Sequence, residues 1–283
     1  MITTWGNLLK WKSVSKQSLS LFFSSLFLLV SLHALPFPVS LAQSPPYKQQ
    51  IAILTYHHLL PESLNLSYKT DEAVLSVEMF EKQMKYLHDN DYHVLSLDEL
   101  QAFIKGQKKV PPRSVVITFD DGYKSNLIYA YPILQKYGYE ATMFVITHML
   151  PTSPQPFNAN KLTMVSFAEM QQVRDVFSFQ SHTDNMHKKK DAAPYLIAMP
   201  EQDVKNDLLR SKQMVHARFF AYPYGMYNSR VVRLLRETGY EMAFTTNRAY
   251  ARQTLDVYRI PRFSIYRSTT MKAFTEIVTG QYK

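Results

Sequence analysis

The chain has 283 residues, a net charge of +9 and no cysteine. A disulfide-stapled scaffold and a cysteine-attached lipid are therefore excluded, and stability must come from the core alone. The positive charge is not gathered into a stripe, which argues against a nucleic-acid binder.

Residues 1–42 read as a targeting segment. Lys10, Lys12 and Lys16 precede an apolar run from Leu19 to Val30, interrupted only by Ser20, Ser24 and Ser25, and Ser40-Leu41-Ala42 offers the small residues of a cleavage site. The alternative is an uncleaved N-terminal anchor, because the run with its flanks approaches the ~20 residues of a membrane span. Cleavage after Ala42 would leave 241 of the 283 residues, enough for one large domain with its own core. It would also lower the net charge from +9 to +6 and remove Trp5 and Trp11, the two tryptophans of the chain. The expected product is a monomer, secreted or held at the cell surface. Its surplus positive charge serves either solubility or association with an anionic surface.

Residues 43–50, with Ser44-Pro45-Pro46, read as an extended linker before a domain spanning 51–283. Ile51 to Tyr56 is a short apolar strand. Val77 to Asn90 is a helix, with Phe80, Met84 and Leu87 at helical spacing. Tyr92 to Leu95 is a strand, and Ser96 caps a helix from Leu97 to Ile104 with Glu99 completing a capping box. Val115 to Phe119 is a continuous apolar strand, the pattern of a strand covered on both faces. Ser125 to Tyr137 is a helix closed by Gly138. A strand from Ala141 to Ile146, a helix from Ser166 to Arg174 with a second Ser–Glu box, and a strand from Val176 to Ser181 follow. Lys188 to Met199 reads as a loop insertion. Then come a helix at Glu201 to Val215, a strand at Phe219 to Ala221 and a helix at Ser229 to Thr238 closed by Gly239. Strands at Met242 to Thr245 and Tyr258 to Ile260 and a helix at Met271 to Val278 complete the chain. Strand–helix alternation without hairpin signals specifies parallel strands in an α/β fold. About eight short strands favour a closed or nearly closed barrel, whose chemistry would lie at the C-terminal strand ends.

Three polar clusters fall at such ends, at Asp120, His182 and Tyr222. Asp120 and Asp121 follow one strand, and adjacent side chains there point in different directions. One carboxylate can ligate a metal while its neighbour stays free as a base; capping the next turn is the competing role. His182 and His187 follow another strand, five residues apart, which is not the helical spacing of a zincin. With an aspartate they form a borderline ligand set suited to Zn²⁺, with Co²⁺, Ni²⁺ or Fe²⁺ as alternatives. Either histidine alone would pass for a surface residue. Lys188-Lys189-Lys190 reads as a solvated charge run.

Thr118-Phe-Asp-Asp-Gly122, the His182 to His187 element and Ala221-Tyr-Pro-Tyr-Gly225 resemble, in order, the first three motifs of the polysaccharide deacetylases, the family-four carbohydrate esterases with a NodB homology domain. The likeness spans roughly residues 48–283, and the histidine spacing and Tyr-Pro-Tyr-Gly form are most similar to the biofilm poly-N-acetylglucosamine (intercellular adhesin) branch. The resemblance implies a distorted (β/α) barrel of seven to eight mostly parallel strands. It implies Asp120 as general base, Asp121, His182 and His187 as holders of a divalent metal, and the Tyr224 backbone N–H facing the developing oxyanion, with Pro223 and Tyr222 beside it on the substrate side. The rings of Tyr222, Tyr224 and Tyr227 are open to sugar stacking or to core packing.

Two family features are missing: the Asp-x-x-Asp-Trp element and the late Leu-x-His that carries the general acid. His216 falls in a helix pattern and is expected to be buried. The leaving amine still needs a proton, and His57 in Tyr56-His57-His58 is the candidate, with His58 as competitor. Where the broad family often has an arginine before its third motif, this chain has Ala221; Arg262 can substitute by pairing with Asp120, or can be a structural ion-pair partner like Arg259. The implied activity is metal-assisted removal of N-acetyl groups from a β-linked N-acetylglucosamine polymer. The alternatives are a peptidoglycan or chitooligosaccharide deacetylase, a catalytically silent carbohydrate-binding protein, and a glycosidase, which would need a carboxylate pair and no metal.

Overall fold

A computed structural model describes residues 49–282. The targeting segment expected at 1–42, and most of the linker, lie outside the described residues. The main sheet has eight strands: β1 (Ala52–Tyr56), β2 (His93–Val94), β3 (Ser114–Phe119), β4 (Ala141–Val145), β5 (Phe177–Ser181), β6 (Phe219–Ala221), β7 (Met242–Phe244) and β8 (Phe263–Ser264). Their order across the sheet is β7-β6-β5-β4-β3-β1-β8, all parallel, with β2 beside the first half of β3 and β4 beside its second half. The sheet curls into a barrel that is nearly closed. The segment before β8 makes a parallel bridge from Ile260 to Phe244 on β7, and then Phe263 pairs with Leu54 on β1. One segment thus joins the two edges, and the strand expected at Tyr258–Ile260 is replaced by that single bridge and by β8.

Alternation along the strands separates two cores. Ile53, Val116, Phe144, Ala221 and Phe244 point inward and pack on Leu97, Leu100 and Phe103 of helix α2 (Leu97–Ile104), which plugs the barrel at its N-terminal end. Leu54, Ile117, Phe119, Met143 and Phe177 point outward onto an outer layer of helices. That layer includes α1 (Val77–Asp89), α3 (Tyr131–Tyr137), α4 (Phe167–Gln172), α5 (Glu201–Val215), α6 (Ser229–Glu237) and α7 (Met271–Val278). Ser96 and Ser166 each make the reciprocal capping box with Glu99 and Glu169, an arrangement in which each cap is worth about 1 kcal/mol. Gly138 closes α3 in the left-handed region at φ 68°.

Several expectations are corrected. The helix expected from Ser125 opens with a π-turn at Asn126–Ala130 before α3 begins. The Lys188–Met199 insertion contains a small hairpin, Lys189–Lys190 with Ala193–Pro194, and one helical turn at Tyr195–Ala198. His58–Leu60 and Val74–Ser76 form a two-stranded parallel pair not read from sequence. His216 is not buried in a helix: it is exposed, in the left-handed region at the end of α5. Among the described residues no helix is long and apolar enough to cross a membrane.

Candidate active site

Each polar cluster is anchored to a neighbouring strand just as its own strand ends. The Asp120 N–H donates to Tyr56 at 2.9 Å, that of His182 to Val145 at 2.9 Å and that of Tyr222 to Phe244 at 3.0 Å. The rim thus continues the hydrogen-bonding of the sheet beneath it. Asp120 continues the inward parity of Val116 and Thr118, so its carboxylate enters the top of the barrel. Asp121 adopts φ 72°, which breaks the strand and turns its carboxylate elsewhere. Thr183 (φ 77°) and Tyr224 (φ 60°) also occupy the left-handed region, where a β-branched residue is a steric outlier. Strain of this kind persists only where surrounding structure over-determines it, and it gathers at functional sites. Gly225 follows Tyr224 because nothing larger fits: a Cβ there would lie 2.0 Å from Thr246 Oγ1.

Asp120 is buried and clamped by Arg262, which is itself fully buried. Nη1 donates to Oδ1 at 2.8 Å and Nη2 to Oδ2 at 2.7 Å. The guanidinium is fixed in turn by Nε donating to the Thr245 carbonyl at 3.0 Å and by the rings of Phe144 and Phe244, 5.4 and 6.0 Å away. Burial alone would raise the Asp120 pKa, but Arg262, then His182 and His57, outweigh it and hold the carboxyl well below the usual range. The clamp thus favours the ionised carboxylate.

Asp121, His182 and His187 form a second group. Their ligand atoms all lie within 4.8 Å of one another. Each imidazole presents Nε2 to Asp121 Oδ1, at 3.6 Å for His182 and 3.5 Å for His187. These separations are long for hydrogen bonds, and Oδ1 is buried with no hydrogen-bond partner. They match the edge of a tetrahedron around a zinc-sized ion, about 3.4 Å for bonds of about 2.1 Å. His182 Nδ1 lies 2.8 Å from the Ala221 carbonyl, which requires the proton on Nδ1 and leaves the Nε2 lone pair free. Burial pushes its pKa down to about 4, so it is a neutral imidazole at pH 7. A divalent metal fits this donor set.

The His187 ring packs against Tyr224 with centroids 4.7 Å apart and planes tilted by 39°, and the Tyr224 hydroxyl donates to the His187 carbonyl at 3.3 Å. Lys189 Nζ lies 4.3 Å from the centre of the same ring, so one residue of the lysine run touches the site. Tyr224 is 38 % exposed and borders the open side. Tyr222 is not available to a sugar: its side chain is fully buried, donates to the Tyr258 carbonyl at 2.9 Å and stacks on Tyr227. Pro223 is buried too. Of that motif, only Tyr224 offers a surface.

The two adjacent histidines differ sharply. His58 is buried, its Nδ1 lies 2.6 Å from Ser125 Oγ and burial pushes it down to about 4. His57 is half-buried, its carbonyl accepts from Asn126 Nδ2 at 2.8 Å, and it lies close enough to Asp120 to influence it electrostatically. The π-turn that displaced the expected helix start supplies Asn126, with Ser125 beside it, so it holds both histidines.

Sequence reasoning missed Thr147 and Asp207. Thr147 Oγ1 donates to Asp184 at 2.7 Å, and Asp207 accepts from the Asp184 and Asn185 N–H groups at 3.0 and 2.7 Å. The available signal was a lone carboxylate among Val204, Leu208, Ser211 and Val215, the other inward positions of α5.

A family model described as polysaccharide deacetylase matches residues 107–243. A poly-beta-1,6-N-acetyl-D-glucosamine N-deacetylase of Staphylococcus aureus (strain MRSA252) is 31% identical over 237 residues, covering 77% of this chain and 80% of the relative. The protein of that name from Staphylococcus epidermidis is 27% identical over 269 residues, covering 87% and 91%. The solved structure of IcaB from Ammonifex degensii superposes with a TM-score of 0.68 at 22% identity, covering 83% of this chain and 97% of that one, a likeness of fold.

Proposed function

The chain belongs to the polysaccharide deacetylase family, and from that premise we propose a divalent-metal-dependent N-deacetylase of a β-linked N-acetylglucosamine polymer, working outside the cytoplasm. The observation that carries this reading is the juxtaposition of an Asp–His–His set, whose Asp121 Oδ1 is buried without a hydrogen-bond partner, with an aspartate clamped by a buried arginine. The choice of polymer is supported by the names of the staphylococcal relatives.

A bound metal would lower the pKa of water towards ~7 and polarise the amide carbonyl. Asp120, held ionised and aimed by Arg262, accepts the proton of the attacking water. The Tyr224 backbone N–H faces the oxygen on which charge develops, a contact that strengthens only towards the transition state. His57 returns a proton to the amine as the carbon–nitrogen bond breaks, so that water and amide become acetate and a free amine. A glycosidase reading is disfavoured because Asp120 and Asp121 diverge into separate partners instead of flanking a bond.

Acetate release from poly-N-acetylglucosamine and from peptidoglycan, each with and without EDTA, tests the proposal. Acetate from the first polymer that stops on chelation and returns with Zn²⁺ or Co²⁺ is expected. Release from peptidoglycan alone would reassign the substrate, and chelator-resistant turnover would remove the metal from the mechanism. The roles of the histidine pair separate in a second measurement. His57→Ala is expected to slow kcat at least ~100-fold. His58→Ala is expected mainly to lower stability, by about 1–3 kcal/mol for the loss of a buried hydrogen-bonded group. Near-normal rates in His57→Ala would move the acid elsewhere.

A further inference from the structure

The loop between His182 and His187 contains no regular element, yet a ligand set tolerates errors of only about 0.5 Å. Its shape is imposed by α5. Ser211 Oγ lies 2.6 Å from Ser181 Oγ, immediately before His182. One turn earlier on the same helix, the two oxygens of Asp207 take the N–H groups of Asp184 at 3.0 Å and Asn185 at 2.7 Å. The two side chains therefore grip the chain on either side of His182 and Thr183. From the opposite side the exit of β4 makes three further ties: Thr147 N–H to Thr183 O at 3.1 Å, His148 N–H to Asp184 O at 3.1 Å, and Thr147 Oγ1 to Asp184 Oδ1 at 2.7 Å. This double grip explains how Thr183 is held at φ 77°.

Asp207 is a poor residue for stability alone. It is 8 % exposed and lies beside the buried Asp184. The nearby cation, Arg210, is 3.7 Å from Asp184 and has 71 % of its own side chain exposed. Burying a carboxylate without a close countercharge is unfavourable, and an apolar residue would extend the stripe of α5. What a carboxylate supplies is two acceptors, 120° apart on one carbon, for two successive N–H groups that point the same way.

We infer that Asp207 is a positioning residue of the metal site: it shapes the His182–His187 loop so that both Nε2 atoms face Asp121. The inference rests on the metal-site reading proposed above. Asparagine keeps the volume of aspartate but turns an N–H towards one of the loop N–H groups, so one tie becomes a repulsion.

The test is Zn²⁺ titration of the chelator-stripped full chain by calorimetry, with the visible spectrum of the Co²⁺-loaded protein and thermal melting followed by circular dichroism. Asp207→Asn is expected to keep the native far-ultraviolet spectrum, to bind Zn²⁺ ~10–100-fold more weakly and to change the Co²⁺ bands. Ser211→Ala, which loosens the other end of the grip without touching a charge, is expected to weaken Zn²⁺ several-fold in the same sense. It serves as the deciding variant if Asp207→Asn does not fold. Zn²⁺ affinity and Co²⁺ bands equal to wild type in the folded variants, with only a lower melting temperature, would overturn the inference and leave the metal site standing. Failure of the wild-type chain to bind either metal would instead overturn the metal-site reading itself.

Discussion

Asp120→Asn is expected to lower kcat for acetate release by about 10³-fold while the protein still binds its metal. The magnitude follows from the 10²–10⁴-fold worth of a positioned proton acceptor. Retention of metal follows from the geometry, because the ligand atoms come from Asp121, His182 and His187, whereas both oxygens of Asp120 are engaged by Arg262. The variant also leaves a buried guanidinium without its counterion, and a loss of about 3–5 kcal/mol is expected for breaking a buried pair. Activity must therefore be measured below the variant's melting temperature, alongside metal content. If the variant loses its metal but the corresponding Asp121 variant keeps it, the two aspartates exchange roles.

Arg262→Met is expected to have the second largest effect, and its signature is a change in pH dependence. In the native protein burial would raise the Asp120 pKa, but Arg262 and the nearby histidines hold it below the ordinary 3.8. A depressed folded pKa contributes stability that is present above the unfolded value and is lost as pH falls through the folded one. Without Arg262 burial dominates, the folded pKa rises above the unfolded value, and the sign reverses: the variant loses stability as pH climbs past about 4. The gap between wild type and variant should therefore open as pH rises, towards about 3–5 kcal/mol near neutrality. Urea unfolding at pH 4 and pH 7 reads this directly. The acid limb of kcat/KM should move to higher pH in the same variant, because Asp120 must now lose a proton before it can accept one. A stability gap independent of pH would show that Arg262 acts by packing between Phe144 and Phe244 and not by charge. Arg262→Lys should recover only part of either effect, since an ammonium cannot reproduce two parallel bonds to one carboxylate.

Periodicity and caps made most of the fold legible. The extents of α5, β6 and α7 follow from local pattern alone, as do the two capping boxes, because these features depend on neighbours within one or two turns. Elements decided by distant partners were not legible in this way. The joint between β7 and β1 is a bridge at Ile260 followed by β8, and both pairings are with strands remote in sequence. The small pairing of His58–Leu60 with Val74–Ser76 carries no periodic signal, being three residues on each side.

By itself the sequence determined the strand–helix order, the placing of Asp120, Asp121, His182 and Tyr222 at strand ends, and the divergence of the two adjacent carboxylates. The tertiary structure decided which of these side chains meet. It set Arg262 against Asp120 across 142 positions of chain, withdrew the Tyr222 ring into the core, turned His58 away while leaving His57 beside the site, and brought Asp207 to the histidine loop. The physical reason is range: backbone preference and alternation act over a few residues, whereas a clamp, a ligand set or a buried ring exists only where closure of the sheet brings remote segments within bonding distance.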